Sequence, residues 1–269
     1  MAMPPSLPRI AVDVLRGGEG HRYAEHRWAR AELHLPRGDG PHPVAMVLHG
    51  GSWRMTYGKR VMRPVCRDLV RHGWAAWNVE YRRVGGQEGG GWPATYDDVA
   101  AAIDHLAALD APLDLGRVVL VGHSAGGSLA LWAAARPQLP AGVPGAGAPR
   151  VAPGLVIAQA AVANLERGRA LTAPGGIVNA LLGGTPDEVP ERYAAANPQR
   201  RAGLPTPMLL VHGEDDRTLT VRQSIEYVQA ARAAGGPAEL AALSHAAQRD
   251  HVDPRSAAWQ VVLERLARF

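Results

Sequence analysis

The stretch Val119–Gly127, VLVGHSAGG, joins an apolar run to a helix-compatible segment through Gly122-His123-Ser124-Ala125-Gly126. A G-x-S-x-G junction leaves a chain few choices of fold. The serine must sit in a turn too tight for side chains on either flank, with a strand ending before it and a helix starting after it. That strained turn holds the hydroxyl above the end of a sheet and brings the next backbone N–H close to a helix N-terminus. The pattern predicts an exposed, reactive Ser124. A serine of this kind needs partners elsewhere in the chain.

The rest of the sequence supplies the sheet that such a junction requires. Short apolar runs bounded by Gly, Pro or polar residues occur at Val44–Leu48, Trp74–Val79, Val118–Val121, Leu155–Ala158 and Met208–Val211. They read as buried parallel strands, and a further strand is expected around Ala238–Leu243. Helical spacing appears in Val99, Ala102, Ile103 and Leu106, with Asp97 and Asp98 at the favourable N-terminal end. It recurs in Val221, Ile225 and Val228, and again in Trp259, Val262, Leu263 and Leu266, where Pro254 fits the first turn. Ile10–Val14 and Ala31–Leu35 read as opening strands. The second alternates Ala31, Leu33 and Leu35 with Glu32 and His34, the pattern of a half-solvated antiparallel edge. Strand alternating with helix predicts an α/β fold: a doubly wound, mostly parallel sheet of about eight strands.

Three segments interrupt this rhythm. Gly85–Trp92 is glycine-rich and reads as a mobile loop, and Pro140–Gly154 reads as a linker. Asn164–Arg201 is a longer excursion with an apolar patch at Ile177, Val178, Leu181 and Leu182, the natural place for a small cap. No repeat or composition shift marks a second domain. Residues 1–269 therefore read as one domain with a cap-like excursion at 164–201.

Composition narrows the function classes. A hydrophobic content of 46% argues against wholesale disorder. The net charge of +4 is spread over scattered arginines, without the basic, aromatic-interleaved stripe of a nucleic-acid surface. Cys66 is the only cysteine, so no internal disulfide forms, and its apolar neighbours predict a buried thiol. The N-terminus lacks the basic and apolar regions of a signal peptide, and no apolar run approaches membrane-spanning length. The expectation is a cytoplasmic protein with a small-molecule substrate, no nucleic-acid partner and no membrane partner. Its oligomeric state is not legible.

The serine's partners follow from its chemistry. An orienting acid should leave the tip of a later strand, and Met208–Asp216 supplies an apolar run ending in Glu214, Asp215 and Asp216. Asp216 is the first choice and Asp215 the second; spacing alone does not separate them. The general base must come later still, at His245 or His251, and His251 is preferred because it immediately precedes the C-terminal helix. Upstream, Val44–Leu48 runs into His49-Gly50-Gly51-Ser52-Trp53. Its glycines let backbone N–H groups converge on a developing oxyanion; the expected donors are Gly51, Ser52 and Ala125. His49 reads as a brace for that loop. Trp53, Trp92 and His123, with the Ile177–Leu182 patch, are candidate pocket residues.

Together these motifs resemble the α/β-hydrolase superfamily over nearly the whole chain. His-Gly-Gly-x-Trp at 49–53 with Gly-His-Ser-Ala-Gly-Gly at 122–127 is similar to the arylformamidase (kynurenine formamidase) and hormone-sensitive-lipase-like esterase branches. The resemblance implies Asp216 as the acid, four residues after the His of an H-G-x-x-D motif. It also implies His251 as the base, since Asp250-His251-Val252-Asp253 matches D-H-F-D apart from Phe to Val. Asn78–Tyr81, Trp92–Ala94 and Asp97–Val99 look like that family's strand, loop and helix. Ser52 replaces the third glycine of the lipase-like H-G-G-G pattern and points toward the formamidase side. Gly85–Gly91 has no assignable counterpart, so substrate identity stays open.

The reading is a serine hydrolase that cleaves a small carboxylic ester, aromatic or short-acyl, through an acyl-enzyme. The alternative is an amidase acting on N-formyl aromatic amines such as N-formylkynurenine. A third possibility is a hydrolase fold that only binds its ligand, although no member of the triad is missing. No metal or organic cofactor is expected, because His21, His26, His34, His42, His72 and His105 lack zinc-motif spacing.

Overall fold

The computed structural model describes residues 6–85, 89–168 and 176–269. Its strands are β1 (Glu19–Arg22), β2 (Arg30–His34), β3 (His42–Leu48), β4 (Ala75–Val79), β5 (Leu113–His123), β6 (Leu155–Gln159), β7 (Met208–Gly213) and β8 (Ala238–Leu243). The helices are α1 (Leu7–Leu15), α2 (Arg63–Arg71), α3 (Ala94–His105), α4 (Ala125–Ala134), α5 (Leu165–Gly168), α6 (Ile177–Leu182), α7 (Pro190–Ala196), α8 (Arg222–Ala233) and α9 (Ala257–Leu266).

The strands form one sheet in the order β1-β2-β4-β3-β5-β6-β7-β8. β2 runs antiparallel to both β1 and β4, and every other neighbouring pair is parallel. Central strands are apolar on both sides because both faces are covered. Ala45, Val47, Val119, Val121, Ile157 and Val211 pack under α2 and α9. Their neighbours in sequence, Val44, Met46, Val118, Leu120, Val156 and Leu210, face α3, α4 and α8. Cys66 lies wholly buried in the first of these layers, where burial pushes its thiol pKa well up.

β3 has β4 on one side and β5 on the other, so the chain's progression reverses between β3 and β5. Ligands of open α/β sheets collect at such a crevice, outside the C-terminal ends of the strands. The register Leu48↔Gly122 brings the ends of these two strands side by side.

Four details depart from the sequence expectations. Ile10–Val14 is not a strand but lies in α1, with Pro8 in its first turn. A short apolar run fits either element, and here the helix docks through Asp13, which meets Arg71 Nη2 at 2.6 Å. The opening strand is instead β1, among whose residues only His21 is not exposed. β2 is no solvated edge: Glu32 and His34 are buried, with Glu32 accepting from Arg63 Nε and Nη2 at 2.9 and 2.6 Å. Pro254 precedes α9, whose N-cap is Ser256, with Oγ accepting the Trp259 N–H at 3.0 Å.

The excursion contains α5, α6, α7 and a 3-10 turn at Pro198–Arg201. Its apolar patch is buried, and Trp92 N–H donates to Leu181 O at 2.6 Å, joining it to the segment after β4. Residues 86–88 of the glycine-rich loop and 169–175 of the excursion lie outside the described residues. Among the described residues no helix is long and apolar enough to cross a membrane.

Candidate active site

Ser124 stands between β5 and α4 with φ 54° and ψ −117°. That conformation costs a non-glycine residue about 1–3 kcal/mol and persists only where the surroundings enforce it. Here the Ser124 N–H donates to Gln159 O at 2.8 Å, while its carbonyl accepts from the Ser128 N–H at 3.1 Å. The flanking glycines are required by contact. A Cβ on Gly122 would lie 2.2 Å from Gly126 O, and one on Gly126 only 2.1 Å from Leu48 O. The elbow is thus pressed against the end of β3.

The segment leaving β3 turns sharply, with positive φ at Gly51 (117°), Ser52 (52°) and Trp53 (53°). A Cβ on Gly50 would stand 2.7 Å from His123 Nδ1 and 3.0 Å from Ser124 Cβ, so this loop directly faces the candidate nucleophile. His49 braces it from beneath. Its Nδ1 lies 2.7 Å from Gly50 O and its Nε2 2.8 Å from Glu80 Oε1. The Tyr81 ring stacks on His49 with centroids 4.3 Å apart, and its hydroxyl donates to His49 O at 2.7 Å. Burial raises the Glu80 pKa, but the neighbouring His49 and Arg83 outweigh it, so the carboxyl stays below its usual range.

Asp216 follows β7 and His251 lies in a 3-10 turn between β8 and α9. Both are buried. Asp216 Oδ1 accepts the N–H groups of Thr218 and Leu219 at 2.8 and 2.9 Å, which fixes the carboxylate plane. His212 Nε2 lies 3.6 Å from Oδ2, but its N–H is directed to Leu219 O at 2.7 Å. Burial raises the Asp216 pKa, yet the adjacent imidazole and the two backbone donors hold it below the usual range. Oδ2 is left buried without a hydrogen-bond partner, as are both ring nitrogens of His251. Burial, reinforced by His123 and His212 and opposed by Asp216, lowers the His251 pKa to about 3. The imidazole is therefore neutral at physiological pH, the form a general base requires.

The competing residues are elsewhere. Asp215 and His245 lie on the surface, His245 Nδ1 3.5 Å from Asp215 Oδ2, with side chains 62% and 94% exposed. His123 is buried beside His251, their ring centroids 6.0 Å apart, and its Nε2–H donates to Gln248 O at 3.0 Å. Trp53 is fully buried in the core under its loop, whereas Trp92 is half-buried against Tyr96.

Sequence reasoning missed Gln159. Its carbonyl receives the Ser124 N–H and its Nε2–H donates to His251 O at 3.0 Å, so one side chain and its backbone link the two loops. A glutamine closing the apolar run Leu155–Ala158 was the available signal. Among the described residues no group of three or more His, Cys, Asp or Glu side chains is placed to hold a metal ion.

The sequence also matches a family model. The BD-FAE model aligns with residues 32–230, from within β2 through most of α8. The chain belongs to the BD-FAE family. Membership makes it an esterase of the α/β-hydrolase superfamily. No curated protein gives a significant match. Among solved structures, a truncated carbohydrate esterase from gut microbiota superposes with TM-score 0.78 at 18% identity, covering 93% of this chain and 94% of that one. A propionate-bound thermophilic esterase from the Planctomycetes species Thermogutta terrifontis gives TM-score 0.73 at 23% identity, covering 95% and 94%. The form of Thermogutta terrifontis esterase 2 phosphoramylated by tabun gives 0.72 at 22% identity, covering 100% and 96%. At these identities the superpositions speak for the fold.

Proposed function

We propose that Ser124, His251 and Asp216 are the catalytic triad of this esterase and that the N–H groups of Gly51, Ser52 and Ala125 form its oxyanion hole. The observation that carries the assignment is the strained Ser124 turn facing the 49–53 loop at the junction of β3 and β5. Ser124 Oγ attacks the ester carbonyl while His251 takes its proton. Asp216 Oδ2, buried without a hydrogen-bond partner, is the oxygen left to hold the imidazole tautomer and stabilise the imidazolium. The three N–H groups stabilise the tetrahedral oxyanion, each worth on the order of 10²–10³ in rate. The proton then passes to the leaving alcohol. Water hydrolyses the acyl-enzyme by the same relay.

A small ester with a short or aromatic acyl group is the preferred substrate. The propionate-bound relative supports a short acyl chain. The whole chain acts as one catalytic domain in this reading, with the 164–201 excursion as a small cap. A second reading, hydrolysis of N-formyl aromatic amides in the manner of arylformamidases, rests on Ser52 in place of a third oxyanion-loop glycine. Comparing kcat/KM for p-nitrophenyl acetate and N-formylkynurenine separates them: a much higher value for the formamide would displace the ester. Fluorophosphonate should label the wild type and not Ser124→Ala. Labelling of that variant would move the nucleophile elsewhere.

A further inference from the structure

We infer that a basic groove beside the oxyanion-hole loop seats the alcohol portion of the ester, and that this alcohol carries a carboxylate on a flat ring. The inference rests on the esterase reading and narrows its substrate class.

The groove encloses about 620 Å³ between the segment joining β1 to β2 and the segment that follows the 49–53 loop. Arg27, Trp28 and Arg30 line one wall; Tyr57, Lys59 and Arg60 line the other. Its one acidic lining residue is already engaged. Glu80 is bonded by His49, and Arg83 Nε lies 3.5 Å from the same oxygen. Lys59, the chain's only lysine, is paired with Glu32 at 3.1 Å. Arg30 and Arg60 are both exposed, and among the described residues neither has a carboxylate partner. The field left over in the groove is positive, and a guanidinium matches a carboxylate fork to fork.

Arginines hold the Trp28 wall in place, and the Tyr57 wall presents an exposed ring. The guanidinium carbons of Arg27 and Arg83 lie 5.1 and 4.9 Å from the Trp28 ring centroid, and Arg83 also donates to Tyr57 O. This one buried arginine ties both walls to Glu80. Tyr57 remains 50% exposed, offering a ring face.

Tyr57 also connects the groove to the chemistry. A Cβ on Gly51 would lie 3.0 Å from both Cγ and Cδ2 of its ring. The same side chain therefore backs a proposed oxyanion donor and lines the groove, although Ser124 itself does not. An ester whose carbonyl oxygen sits at Gly51 can direct its alcohol ring along Tyr57, its carboxylate reaching Arg30 and Arg60.

4-Acetoxybenzoate and methyl 4-acetoxybenzoate share an acyl group and a ring but differ in charge. The ratio of their kcat/KM values should fall about tenfold or more in Arg30→Ala/Arg60→Ala, and further in Arg60→Glu, because a ratio cancels any loss of folded enzyme. Raising salt should lower the wild-type ratio in the same direction. An unmoved ratio, with the neutral ester still hydrolysed and fluorophosphonate still bound, overturns the groove and leaves the esterase standing. If neither ester turns over and no label is taken, the esterase reading fails instead. Calorimetry of 4-acetoxybenzoate with Ser124→Ala then decides the groove without turnover. Saturable binding that is lost on adding the two arginine substitutions supports it, and no binding overturns it.

Discussion

His251 and Asp216 differ from His245 and Asp215 less in sequence than in surroundings. Each pair offers an imidazole near a carboxylate, but one pair is buried with unpaired polar atoms and the other is washed by solvent. Burial matters because a relay needs a carboxylate that water does not already satisfy. His251→Ala and Asp216→Asn should each lower kcat by about 10²–10⁴-fold. His245→Ala and Asp215→Asn should stay within about twofold, since exposed pairs contribute little. Steady-state kinetics on p-nitrophenyl acetate checks all four, and loss confined to the His245 variant would reassign the base. Because burial lowers the His251 pKa to about 3, this proposed base stays unprotonated far below the ordinary histidine range. The kcat/KM profile should therefore run flat from neutral pH to well under 6.5. An acid limb at 6.5 or higher would contradict the burial described here.

At the scale of elements, the site is a meeting of strand ends. Gly126 shows how little slack the meeting has, since a methyl group there would run into the carbonyl of Leu48. Gly126→Ala should cost about 1–3 kcal/mol in urea unfolding and depress kcat, because the elbow must back away from the 49–53 loop. Full activity at wild-type stability would show that the elbow is looser than drawn. The same scale marks the limits of sequence reasoning. The strands that meet at the site carry apolar runs long enough to read, and a strand is legible around the position of β8. β1 is not legible, because its residues Glu19–Arg22 carry no apolar signal, and the apolar run in α1 is too short to tell helix from strand. Glu32 and His34 looked solvated because charged residues usually are. Arg63 of α2 and Lys59 compensate the buried Glu32 carboxylate, beside which His34 lies.

For the whole molecule, buried neutral histidines couple stability to pH. The folded-state pKa of His123 is lowered to about 4 and that of His251 to about 3, burial being the main cause in each. In the unfolded chain both return to about 6.5. Between those values the unfolded state binds more protons, so stability is fully present above about 6.5 and lost as pH falls toward 4. Each group contributes a slope of up to about 1.4 kcal/mol per pH unit. Urea midpoints measured from pH 7 to pH 4.5 should fall steadily, and His123→Gln should flatten the decline. A pH-independent midpoint across that window would count against the burial of both rings.

From the sequence alone came the α/β class, the strand rhythm, the G-x-S-x-G turn and the glycine pair at 50–51. Each is a local pattern, because period, turn chemistry and steric demand are written in neighbouring residues. What the tertiary structure decided is which distant residues share one space. Asp216 and Asp215 are adjacent in the chain, yet only the packing of β7 against β8 and α9 buries one and exposes the other. Gln159, linking the Ser124 turn to the His251 loop, and Tyr57, shared by the oxyanion loop and the basic groove, are likewise visible only in three dimensions. The reason is physical: burial, desolvation and hydrogen-bond pairing are properties of the environment, and a residue acquires its environment only when the chain folds.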